Sequence, residues 1–206
     1  MHRNKKYDVR FLTQLALLVA VEMVMKAIGL GSVPVGPLYM SFLTVPIAVG
    51  AIVLGPMAGV ILGGVFGFVS FLDAVKGASI MTSNLLAVSP VHTFVLCFGM
   101  RVLMGLCVGF VYKGMAAVCK NSTVNCFVTS LCAPLLNTLF FMGYIVLAFY
   151  HTDYIQSLAS SRGAASPVVF VAALVGVQGL VEAVVCSVAG TAVAGGVKKA
   201  LGHRAR

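Results

Sequence analysis

The chain has 206 residues and a formal net charge of +9, yet only 9% of it is charged and 60% is hydrophobic, with a mean hydropathy of +1.06. These values lie far outside the soluble globular range and place the chain in a bilayer. The basic residues are scattered over short segments flanking apolar runs, a pattern suited to anionic lipid and not to nucleic acid.

Apolar runs at about 11–29, 42–54, 57–74, 93–118, 124–150 and 167–196 predict an all-α membrane protein. The expected architecture is a six-transmembrane-helix bundle forming a single membrane-embedded domain over residues 1–206. The start, MHRNKKYDVR, followed by an apolar run, has the outline of a secretory signal. No small-residue cleavage site ends that run, so it is read as a retained first helix. Ala16 and Ala20 form a small-xxx-small pair, which serves either packing within the chain or docking of another membrane subunit. Glu22 and Lys26 are four apart with the acid first, the better order for pairing on a helix. Lys26, near the helix end, can also snorkel or meet a ligand.

The next connection, GSVPVGPLYMS, is uncharged, rich in Gly and Pro, and carries Tyr39. Only Gly55-Pro56 separates the second run from the third, which predicts two helices joined by a tight turn. Gly55, Gly59, Gly63 and Gly67 recur every four residues and form a smooth stripe, so the third helix is expected to be closely enclosed. The following segment, DAVKGASIMTSNLLAVSPVH, is long for a membrane hairpin and offers Asp73, Lys76, Thr82 and Asn84. Connections of that length often bind or cover something. His92 stands alone beside a proline, which gives no metal site.

Ionised groups in hydrocarbon cost a few kcal/mol and survive where they face a partner, a wet cavity or a ligand. Arg101 lies roughly 12 Å below the end of the fourth run at 1.5 Å per residue, close to the depth expected for Asn137 and Gln178. Glu182 is a turn further along the last helix and shares a face with Gln178. Either Arg101 neutralises Glu182 inside an amide-linked network, or these groups line a ligand site; the two are compatible.

Positive charge sets the orientation. Arg3, Lys5, Lys6 and Arg10, then Lys113 and Lys120, then Lys198, Lys199, Arg204 and Arg206 share one side of a six-span chain, so both termini are expected to be cytoplasmic. The six cysteines (Cys97, Cys107, Cys119, Cys126, Cys132 and Cys186) lie in or beside apolar runs without Cys-x-x-Cys spacing and read as small hydrophobes. No hydrophilic stretch is long enough for a soluble domain, and there is no Walker motif. The histidines, His2, His92, His151 and His203, fall outside the spans, and no acid pair shares a helix as membrane hydrolases require. No enzyme, resident metal or cofactor is therefore expected.

Arg10 before the first helix, Ala16-LLV-Ala20, VPVGPLYMSFLTVPI, AIVLGPMAGVILGGVFG, CFGMRVLMGLCVGF and Gln178-Gly-Leu-Val-Glu182 occur in this order over nearly the whole chain. In this the chain resembles the S component, the substrate-binding subunit, of energy-coupling factor (ECF) vitamin transporters. The second to fourth spans and LLNTLFFMG look most like pantothenate-type members. The resemblance implies a multi-pass cell-membrane protein without catalysis, with an external vitamin pocket built from outer loops and the last three helices. It also implies partners: a transmembrane coupling subunit, met by Ala16 and Ala20, and two cytosolic ATPase subunits. For a pantothenate ligand, Arg101 or Lys76 would answer the carboxylate, and Asn137, Gln178, Asn84 or Tyr39 the hydroxyls and amide. Glu182 completes the candidate set. The alternatives are a small ion-coupled secondary carrier with Glu182 as its proton site, or an S component for another micronutrient.

Overall fold

A computed structural model describes residues 9–31, 33–35, 38–164 and 166–203. The chain forms an all-α membrane protein. Helix α1 (Val9–Ala27) leads into a small antiparallel hairpin, β1 (Val33–Val35) and β2 (Leu38–Met40), in which Val33 faces Met40 and Val35 faces Leu38. Then come α2 (Thr44–Val53), α3 (Pro56–Val75), α4 (Ile80–Val88), α5 (Pro90–Phe94), a π-helical turn (Val95–Gly99) and α6 (Met100–Val118). The chain continues through α7 (Ser122–Phe149), α8 (Asp153–Ser161) and α9 (Pro167–His203).

The expected boundaries meet several physical adjustments. Among the described residues, four helices are long and apolar enough to cross a bilayer: Pro56–Val75, Pro90–Val118, Ser122–Phe149 and Gln178–Ala200. Helix α1 is 19 residues long but holds Arg10, Glu22 and Lys26. At 10 residues, α2 is about 15 Å long, half the hydrocarbon thickness. Its run from Pro46 to Ile52 is wholly buried, so α2 is a core helix walled in by its neighbours. The last helix breaks at Gly176, whose φ of 34° and ψ of −131° suit a residue without Cβ. Segments expected as loops after the third and fifth runs coil into α4 and α8, whose Met81, Leu85, Ile155 and Ala159 join one apolar cluster with Met142, Ile145 and Phe149.

The lipid-facing side is as apolar as the interior: Leu17, Leu139, Leu147, Val168 and Val188 are all well exposed. With apolar groups on both sides, burial in oil cannot drive helix association, and close backbone contact takes over. The glycine stripe supplies it. A Cβ on Gly59 would strike the carbonyl oxygen of Gly105, one on Gly63 that of Arg101, and one on Gly67 that of Cys97. Each four-residue step up α3 matches a four-residue step back along α6 and the π turn, so the two backbones run antiparallel in contact. Gly55, with φ 95°, turns the chain into α3, where Pro56 occupies the first helical turn.

Candidate functional site

The glycine contacts place Arg101 against α3, and local chemistry aims its side chain. The guanidinium lies 4.3 Å from the centroid of Phe66 and 4.8 Å from that of Phe141, clamped between α3 and α7. Nη1–H donates to the carbonyl oxygen of Cys97 in the π turn at 3.1 Å. π turns often mark functional positions in helices, and this one hands its carbonyl to the arginine one turn on. Arg101 is 8% exposed, and its Nε–H is buried with no hydrogen-bond partner.

Beside this guanidinium lies a cavity of about 210 Å³. Arg101, Asn137 and Gln178, expected at similar depth, line it together with Glu182, expected a turn further along the last helix. Gln178 and Glu182 enter from the segment of α9 after the Gly176 break, and Val175 and Gly179 line the same wall. Glu182 is buried, and its Oε1 has no hydrogen-bond partner. Arg101 and Glu182 do not form an ion pair, so each retains unused hydrogen-bonding capacity.

Other expected residues lie elsewhere. Lys76 caps the end of α3, exposed and outside the cavity lining. Asn84 is exposed and donates from Nδ2 to the carbonyl oxygen of Ile80 at 2.9 Å, spending its amide on its own helix. Tyr39 is in β2, but its side chain lies outside the described residues. Ala16 and Ala20 are exposed on α1. Among the described residues, no cluster of three or more His, Cys, Asp or Glu side chains could hold a metal ion.

Sequence reasoning missed an ionic contact across the cavity wall. Lys26 pairs with Asp73 of α3, and not with Glu22 of its own helix. Both partners line the cavity and are about one-fifth exposed. Phe66, Ser70 and Asp73 follow helical spacing on α3, as do Asn137, Thr138 and Phe141 on α7, and both groups line the cavity. That spacing was available in the sequence; which face turned inward was not.

The arrangement gathers a cation, a carboxyl and two amides around one cavity. Among curated proteins, no sequence matches the chain. Residues 10–193 match the family model described as ECF transporter, substrate-specific component. The chain therefore belongs to the family of substrate-specific components of ECF transporters, multi-pass cell-membrane subunits that work with other transporter components and do not form an enzyme family.

Proposed function

We propose that the chain binds a small water-soluble vitamin, pantothenate first among the candidates, in the cavity beside Arg101. The observation that carries this reading is the pair of buried, unsatisfied atoms at one site, Arg101 Nε and Glu182 Oε1. An unpaired buried charge is costly, and a ligand with a carboxylate and hydroxyl donors would complete both groups. Arg101 takes the carboxylate in this reading, since Lys76 is outside the lining. Asn137 and Gln178 answer the hydroxyls and the amide, while Met142 and Leu43 receive the apolar dimethyl centre.

Size supports a small ligand. At about 210 Å³ the cavity is below the roughly 300–1,000 Å³ that suits drug-sized molecules. Phe66 and Phe141 each present a ring face to the guanidinium, which leaves less aromatic surface for stacking a large flat ring. The whole chain acts as one six-crossing domain in this proposal, with both termini in the cytoplasm. Helix α1 joins the four long helices, and the sixth crossing is shared by the short, enclosed α2 and the irregular backbone beside it, which is tolerated where protein surrounds it. The cavity is loaded from outside. The exposed Ala16 and Ala20 face of α1 docks to a transmembrane coupling subunit, and two cytosolic ATPases supply the energy.

Isothermal titration of the purified protein against pantothenate, biotin, thiamine and riboflavin tests the proposal. Saturable binding of pantothenate is expected, and silence across the panel removes the vitamin reading. The buried Glu182 also suits an ion-coupled carrier. Uptake by the chain expressed alone, abolished by an uncoupler, would favour that second reading.

A further inference from the structure

Glu22 has both carboxyl oxygens buried without a hydrogen-bond partner, and its side chain is 1% exposed. Such a group is costly in an apolar setting, where a leucine would fill the space without penalty. One turn away on α1 is Lys26, in the acid-first order that favours pairing. In this structure Lys26 is instead committed across the helix interface to Asp73. Lys26 therefore has two carboxyls available, one that it holds and one standing empty on its own helix.

Asp73 lines the same cavity as Arg101. Phe66, over which the Arg101 guanidinium sits, precedes Asp73 by seven residues on α3, about 10 Å of helix rise. The cavity thus has a cation with a free N–H at one level and a carboxylate covered by lysine at another.

We propose that Asp73 is a ligand-binding residue masked by Lys26, and that Glu22 accepts Lys26 when a hydroxyl or ammonium group of the ligand claims Asp73. The matching ligand is elongated, with an anionic group at Arg101 and hydrogen-bond donors about one cavity length away. The exchange moves a tie between α1 and α3 into α1 alone. It thereby transmits occupancy to the helix that exposes Ala16 and Ala20. The ligand half of this proposal rests on the vitamin-binding reading; the exchange of Lys26 between carboxyls does not.

Thermal unfolding without ligand tests the exchange directly. Glu22→Gln in the wild-type background should leave the midpoint unchanged or raise it, because the carboxyl has no partner there. In an Asp73→Asn background Lys26 turns to Glu22, so adding Glu22→Gln should lower the midpoint by about 3 °C. Equal shifts in both backgrounds would overturn the proposal. With pantothenate as probe, Asp73→Asn and Glu22→Gln should each weaken binding about tenfold. Unchanged affinity in Glu22→Gln overturns the link between ligand and exchange. If wild-type protein binds no pantothenate, the vitamin assignment falls, and the ligand-free comparison alone decides whether Lys26 changes partners.

Discussion

Arg101 shows how a charge is retained inside a membrane helix. Two phenylalanine faces and one carbonyl oxygen hold the guanidinium, which leaves Nε–H without a partner. Cation–π contacts of this kind contribute about 0.5–2 kcal/mol each, and the flat, delocalised guanidinium can in addition stack on ring faces while it donates in its own plane, which an ammonium cannot. Arg101→Lys keeps the charge but loses the fork and the stacking. It should weaken pantothenate binding at least about thirtyfold, the equivalent of about 2 kcal/mol, as read by titration. A change confined to the melting temperature would instead assign Arg101 to structure alone. The charge at position 101 stood out in the sequence; its two aromatic neighbours did not, because they come from helices distant along the chain.

At the scale of elements, the contact between α3 and α6 depends on glycine at matched positions. A methyl at Gly105 would meet the carbonyl oxygen and carbon of Gly59, backbone atoms that cannot rotate away. Overpacking of this kind costs about 1–3 kcal/mol, so Gly105→Ala should lower the unfolding midpoint by about 5 °C. Gly114, in the same helix, has nothing within 4 Å of its Cβ position. Gly114→Ala should leave the midpoint unchanged or raise it slightly, since alanine favours the helix by about 0.5–1 kcal/mol. Similar losses at both sites in a thermal-shift assay would refute the close-contact account. The stripe on α3 was legible as a four-residue period. Its partners on α6 were not, because Gly105 and Gly109 look unremarkable until the helices are placed antiparallel. The break at Gly176 was equally silent, since glycines are common in this chain and only one of the α9 glycines takes a positive φ.

At the scale of the whole molecule, the proposed binding and docking regions are separate surfaces of the subunit. Lys26 and Asp73 face the cavity, whereas Ala16 and Ala20 are exposed on α1. Ala16→Trp should therefore leave vitamin affinity within about twofold while preventing co-purification with the coupling subunit, because a bulky ring holds two helix surfaces apart. Loss of binding together with docking would show that the two regions are not separable. The sequence by itself determined membrane residence, helical class and the small set of polar side chains that needed an explanation. Those follow from composition and from the cost of charge in hydrocarbon, which are local quantities. Tertiary structure decided that Lys26 meets Asp73 in place of Glu22, that Lys76 and Asn84 lie apart from the cavity, and that Arg101 and Glu182 do not form an ion pair. Such outcomes depend on helix rotation and offset, set by backbone contact between segments far apart in the chain, and no single segment encodes them alone.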